Sequence, residues 1–268
     1  MIRFMACGDT HGDGGWMSKL ILEHAVKEDV DILVQLGDFG YSGTRMSDLN
    51  FLDRTSKKLV DTNKKMYWID GNHDNQHAIW DHYQPGPDGF CEMRENLYYI
   101  PRGTRFTWGG VRFLALGGAY SIDKPIRLKF EKEEHAFGRY WWPTEKITDA
   151  ERDFAIQGGE VDVMLTHDCP WGVEIPGIGE FWESNEHRKQ LTQVVKAVNP
   201  DFLIHGHYHQ RISERLTWAS EPDPHSTTNL VWNETRVEGF SCNGKGRDAW
   251  GIFSLTPREE VGKLNTED

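Results

Sequence analysis

The chain lacks any long hydrophobic run. No stretch of its 268 residues approaches the roughly 20 apolar positions that a membrane-crossing helix needs, so no membrane contact is expected. Cysteine is sparse. Cys7, Cys91, Cys169 and Cys242 lie far apart and form no CxxC pair, which reads as reduced thiols rather than a disulfide framework. Positive charge is short as well: 30 Lys and Arg stand against 42 Asp and Glu, a net charge of −12. Phosphate neutralisation supplies most non-specific nucleic-acid affinity, so no strong nucleic-acid binding is expected. No apolar leader is expected from the opening residues either. Met1 to Cys7 runs straight into a polar cluster, and the cytoplasm is the expected location. No repeat or low-complexity linker is visible. We therefore expect one domain over residues 1–256, with a polar tail over 257–268.

What is present is aromatic. Apolar residues make up only 38% of the chain, but 11 tryptophans and 12% aromatic content speak for a folded core. The first half alternates short apolar runs (Phe4 to Cys7, Asp31 to Leu36, Met66 to Asp70) with helical patterns over Trp16 to Val26 and Ser47 to Val60. Ser47 is a plausible N-cap, and Leu49, Leu52, Leu59 and Val60 are expected to face inward. Strand–helix–strand units imply parallel strands with right-handed crossovers. Further on, Leu97 to Ile100, Thr104 to Trp108 and Val111 to Leu116 read as strands joined in antiparallel hairpins. An aromatic, charged excursion covers residues 118–145. Thr148-Asp149-Ala150-Glu151 resembles a capping box. Strands over Val161 to Leu165 and Asp201 to Ile204 flank a helix over His187 to Val198, and the remainder to Leu255 is β-rich.

Five polar clusters follow the apolar runs in order. They are Gly8-Asp9-Thr10-His11-Gly12, Gly37-Asp38, Gly71-Asn72-His73-Asp74, Thr166-His167-Asp168 and Gly206-His207-Tyr208-His209. Ligands gather beyond the carboxyl ends of parallel strands, so these distant side chains can meet in one place. Carboxylate and imidazole together suit borderline divalent metals. Asp38 could bridge two cations, and Asn72 offers oxygen without further negative charge. His73 fits better as a proton donor to a leaving oxygen, with Asp74 orienting it. Taken singly, each cluster has an ordinary explanation as a turn or a surface His pair. All five in this order are much harder to place by chance. Cys169, two residues from His167, is read as filler, because phosphate chemistry favours oxygen and nitrogen ligands.

The ordered pattern D-x-H, G-D, G-N-H-[D/E], H and G-H-x-H resembles the calcineurin-like metallophosphoesterase superfamily over residues 8–209. The resemblance implies an α/β fold, a four-layer sandwich of two mixed β-sheets flanked by helices. It implies two divalent metal ions, manganese first, with iron, zinc or nickel as alternatives. Asp9, His11, Asp38 and His209 would hold one ion; Asp38, Asn72, His167 and His207 would hold the other. A hydroxide between the ions would attack phosphorus in line, and His73, paired with Asp74, would assist the leaving group. Gly117-Gly118-Ala119-Tyr120-Ser121-Ile122-Asp123 and Trp141-Trp142-Pro143 are similar to small stand-alone members, some phage-encoded, for which the location would be the host cytoplasm.

Two departures bear on substrate. No Asp-Arg follows Gly37-Asp38, and no Arg follows Gly71-Asn72-His73-Asp74, where protein phosphatases use one to clamp phosphate. The expected substrate is thus a small phosphorylated molecule: a phosphodiester, and more narrowly a small or cyclic nucleotide. Alternatives are a phosphomonoester, a dinucleoside polyphosphate, a DNA nuclease function and a non-catalytic scaffold. Tyr41 and Tyr120 could stack a nucleobase or merely pack their loops. His77 could touch substrate or face solvent. Lys124, Arg127 and Arg139 could meet a phosphate, with surface charge as the default. His205 is expected behind the site or in the core.

Overall fold

The computed structural model describes residues 1–43, 45–219 and 232–258. The expected polar tail lies, from residue 259 on, outside the described residues.

The first strand, β1 (Ile2–Cys7), leads into α1 (Gly14–Ser18). Asp13 caps that helix by accepting from the N–H groups of Gly15 and Trp16. The chain continues as a π-helical turn over Lys19–Ala25, so the helix read from i, i+4 spacing exists with a wider register in its second half. Next come β2 (Ile32–Leu36), α2 (Met46–Asp61) and β3 (Lys65–Ile69). In α2 the expectation fails in two details. Arg45 occupies the N-cap position, and the Ser47 hydroxyl bonds to Asp48 instead of capping. Val60 points outward, whereas Leu52 and Leu59 are buried.

After α3 (Gln76–His82) the chain forms β4 (Cys91–Arg94) and β5 (Leu97–Tyr99), then β6 (Arg105–Trp108) and β7 (Val111–Leu116). Only β6 and β7 form the expected hairpin. β5 pairs instead with β3 in parallel and with β4, a strand the sequence reading missed, in antiparallel fashion. Pro101-Arg102-Gly103 does form a tight turn, closed by the Thr104 N–H donating to the Pro101 carbonyl at 3.1 Å, but it carries the chain from one sheet to the other rather than around a hairpin. The excursion contains α4 (Lys124–Glu133) and a 3-10 turn at Pro143–Glu145. The capping box of α5 (Asp149–Gln157) is present in both its bonds. β8 (Val163–Thr166), α6 (Trp182–Val198), β9 (Phe202–His205), β10 (Ile212–Ala219), β11 (Trp232–Gly239) and β12 (Trp250–Leu255) complete the order.

Two six-stranded sheets result, ordered β12-β1-β2-β3-β5-β4 and β10-β11-β9-β8-β7-β6. Each is parallel at its centre and antiparallel at both edges. The period-2 alternation of strands sorts their residues into layers. Phe4, Ala6, Val34 and Leu36 meet Phe113, Val163, Leu165 and Ile204 between the sheets. Met5, Leu33, Met66 and Trp68 face the other way, under Leu20, Ile21, Leu52 and Leu59. Leu114, Met164 and Leu203 pack beneath Leu191, Val194 and Val198 of α6. The architecture is helix, sheet, sheet, helix.

One buried ion pair joins the sheets. Asp70, at the end of β3, accepts from Arg102 Nε at 3.0 Å and Nη2 at 2.6 Å, and from the Tyr99 hydroxyl at 2.9 Å. Both charged side chains are essentially inaccessible. The remaining guanidinium hydrogens reach the carbonyls of Thr144 and Lys146, which fixes the end of the excursion. Removing one partner strands the other charge in the interior. Arg102→Ala should therefore cost about 3–5 kcal/mol in urea unfolding. Just before the start of β8, Asp162 accepts from the Arg112 backbone N–H at 2.8 Å and from its guanidinium at 2.7 Å. Burial pushes the Asp162 carboxyl up, but these bonds and nearby Arg258 outweigh it and hold it below the ordinary range. A carboxyl lowered in the folded state stabilises above its unfolded pKa of about 3.9, and that contribution is lost as pH falls through the folded value. Asp162→Asn should accordingly be less stable than wild type at neutral pH, and the difference should shrink on acid titration of the unfolding midpoint.

Candidate metal centre

The clusters follow β1, β2, β3, β8 and β9, at the carboxyl ends of strands parallel within each sheet. Their loops interlock through the backbone. The N–H groups of Thr10 and His11 donate to the Asp38 carbonyl, and the N–H of His207 donates to Asp9 Oδ1 at 3.0 Å. Gly37 and Gly71 permit the closeness. A Cβ on Gly37 would collide with the His167 ring, and one on Gly71 with the Asp38 carboxylate.

Asp9, His11, Asp38 and His209 come together, with one ligand atom from each lying within 4.8 Å of the others. His209 Nε2 stands 3.0 Å from Asp9 Oδ2 and 3.1 Å from His11 Nε2. Asp9 Oδ2 is buried with no donor in hydrogen-bonding geometry. An orphaned carboxylate oxygen and two imidazole nitrogens aimed at one point are what a divalent cation would satisfy. On the other side of Asp38, His167 Nε2 lies 3.4 Å from Asp38 Oδ1 and 3.1 Å from Asn72 Oδ1. His167 Nδ1 donates to the Leu36 carbonyl at 2.6 Å, which leaves Nε2 as the site-facing atom. The His207 ring packs on His167, with centroids 5.0 Å apart. The first set thus fits a cation beside Asp38, and His167 and Asn72 bring further donor atoms to its other side.

The electrostatics agree. Burial works against the His167 cation, but Asp38 and Asp9 outweigh it and raise the pKa to about 10. His209 is raised by its contact with Asp9. Asp38, although burial opposes ionisation, is held well below the ordinary carboxylate range by His73, His167 and His11. The two aspartates hold positive charge on whatever faces them. Burial pushes His207 down to about 4, its neutral, ligating form.

Other candidates are placed differently from their expected roles. Asp74 does not reach the His73 ring. Its oxygens accept from the N–H groups of Phe39, Gly40, Tyr41 and Gly71, so it shapes the loops. Burial and Asp38 push its carboxyl up to about 7 despite those bonds. The His73 N–H donates to Asp38 Oδ1 at 2.7 Å, and its Nε2 is met by the Arg127 guanidinium. Burial, Arg127 and His11 pull the imidazole pKa down against Asp38. Tyr41 is buried with its ring beside Tyr83, and His77 sits exposed on α3 near Asp81. Tyr120 is partly exposed beneath Lys146. Cys169 is buried in the sheet-two core, and His205 is buried with Nδ1 at the Gly206 carbonyl.

Arg127 departs from its default reading as surface charge. It is buried, paired with Asp123 at 2.9 Å, and bonded to the Asn72 carbonyl at 3.3 Å. The i, i+4 acid was its one local mark. His73 lines two cavities. One, of about 300 Å³, adds Ile122, Arg127, Ile178 and Tyr208; the other, of about 380 Å³, adds Arg45, Phe51, Arg139 and Tyr140.

Residues 2–211 match the model of the calcineurin-like phosphoesterase family, and the chain belongs to that family. Among solved structures, it aligns with a putative 5'-nucleotidase from Staphylococcus aureus in complex with alpha-ketoglutarate, at 14% identity and a TM-score of 0.42. That alignment covers 95% of this chain and 51% of the other, so the chain spans about half the length of the nucleotidase. No curated protein matches the chain.

Four of the candidate ligands, His11, Asp38, His207 and His209, have left-handed backbones, with φ of 47°, 53°, 72° and 53°. Such strain costs on the order of 1–3 kcal/mol per residue. The His209 side chain is half-exposed, so little burial is lost by deleting it. His209→Gly should weaken manganese binding in calorimetry, while the ion-free variant should unfold at a urea concentration no lower than ion-free wild type.

Proposed function

We propose that this chain is a dinuclear metal-dependent phosphodiesterase acting on small nucleotides, cyclic ones included. The observation that carries this reading is the convergence of two donor sets on Asp38. Asp9, His11 and His209 would hold one ion with it, and Asn72, His167 and His207 the other. Manganese suits the mixed carboxylate, amide and imidazole donors, with iron, zinc or nickel as alternatives. When bound, such ions supply positive charge to phosphoryl oxygens and acidify water.

The protein's own groups do the rest. Arg127 offers a guanidinium fork to a phosphoryl oxygen beside His73, in the same cavity. In the present arrangement His73 Nε2 accepts from Arg127. Once that guanidinium has turned to the substrate, the freed Nε2 takes up a proton from solvent and the imidazolium donates it to the leaving oxygen. His73 and Arg127 then serve the same phosphate, and Asp74 acts by holding the loops rather than by charging the imidazole. Two cavities meeting at His73 favour a phosphorus with an organic arm on each side, hence a diester. The aromatic faces of Tyr140 and Phe51 in the larger one suit a base. Arg45 and Arg139 in that same cavity favour a second reading, hydrolysis of a phosphate-bridged dinucleotide.

The test is a substrate panel with manganese. Bis-aryl phosphate should be cleaved in preference to the mono-aryl ester, and cyclic nucleotides in preference to dinucleoside polyphosphates. A reversed order in either comparison would replace the diester or nucleotide assignment. His73→Ala should lower kcat by roughly 10²–10⁴-fold, the range of general acid catalysis, with manganese binding retained. Asp38→Ala should lose both rate and ion binding.

A further inference from the structure

Asn72 presents a problem of orientation. The two ends of its amide are nearly the same size, but only the oxygen can hold a cation. The structure supplies a one-way chain of hydrogen bonds that decides between them. Asn72 Nδ2 donates to Ser121 Oγ at 2.9 Å, and Ser121 Oγ donates to Glu145 Oε2 at 2.5 Å. The Ser121 N–H also points to Glu145 Oε1 at 3.4 Å. A carboxylate only accepts, so the serine proton is committed to Glu145. Ser121 then has only lone pairs to offer Asn72, and lone pairs require the NH₂ end. The oxygen is turned inward, where it lies 3.1 Å from His167 Nε2.

All three residues are buried, at 2% exposure or less. Glu145 makes no ion pair among the described residues, and a buried carboxylate without one is costly unless its bonds serve a purpose. Its backbone is fixed too. The Glu145 carbonyl accepts from the Ala119 N–H at 2.9 Å and from Arg102, the partner of Asp70. The start and the end of the excursion are thereby clasped behind one ligand.

We infer that Ser121 and Glu145 are positioning residues that lock the Asn72 amide with its oxygen toward the second ion. This rests on the two-ion reading above. None of Asp9, His11, Asp38 and His209 touches the chain of bonds, so the first ion should be indifferent to it. Groups that orient metal ligands typically carry 10–100-fold in affinity.

The experiment is a stepwise manganese titration by calorimetry on the full-length protein after chelation. Wild type should bind two ions. Ser121→Ala should weaken the second step by about 10–100-fold and leave the first unchanged. Ser121→Thr, which keeps the hydroxyl, should restore the second step. Glu145→Gln, whose NH₂ can turn the chain of donors around, should weaken it. Equal weakening of both steps in Ser121→Ala and Glu145→Gln would show general loosening and overturn the inference. So would two ions bound as in wild type by both variants, with the two-ion reading left standing. Fewer than two ions on wild type would instead remove that reading, and the inference with it.

Discussion

Asp38 carries its carboxylate into the seam between the two sheets, where water cannot solvate it, and the surrounding groups are placed to offset that cost. It accepts the His73 N–H from the first sheet and faces His167 from the second. Its carbonyl takes the N–H groups of Thr10 and His11. Loops from β1, β2, β3 and β8 are thus registered on a single residue. The glycines at 37 and 71 are the steric condition for this, since any larger residue would push His167 or Asp38 away. A site that depends on two histidines and two carboxylates within a few ångströms needs this degree of common reference.

Behind that seam lies a layer of polar groups that never faces substrate. Asp70 and Arg102 join the end of β3 to the crossing between sheets. Asp168 accepts from Tyr208 at 2.6 Å and pairs with His187 at 2.7 Å, which ties the loop after β8 to α6 and to the last cluster. Because these groups are buried and mutually satisfied, the loops they hold have few alternative arrangements. The excursion is attached to the same layer through Arg102, Glu145 and Ser121, so its residues reach the site from a fixed base.

The family and the ordered clusters were legible in the sequence because each candidate ligand follows a strand, and strands announce themselves by apolar runs. The capping box at Thr148 and the alternation of the first half were legible for the same reason: they are local. What could not be read was set by contacts distant in sequence. β5 looked like half of a hairpin with β6, and only its pairing with β3 takes it into the other sheet. Arg127 looked like surface charge on the excursion until the fold brought His73 against it, 54 residues away in sequence. Asp74 stands next to His73 in the chain, yet its carboxylate turns to the backbone of the preceding loop. Ser47 looked like a cap, but Asp48 took its hydroxyl. In each case a tertiary partner outbid a plausible local one.

The left-handed backbone at His11, Asp38, His207 and His209 has a consequence for descent. Side chains disfavour this conformation and glycine does not. A lineage released from selection for catalysis would find that replacing the half-exposed His209 eases the fold instead of harming it. The path from working enzyme to inert scaffold therefore runs with stability, and the path back runs against it. The intact set of left-handed candidate ligands in this chain is a feature that folding alone would not preserve.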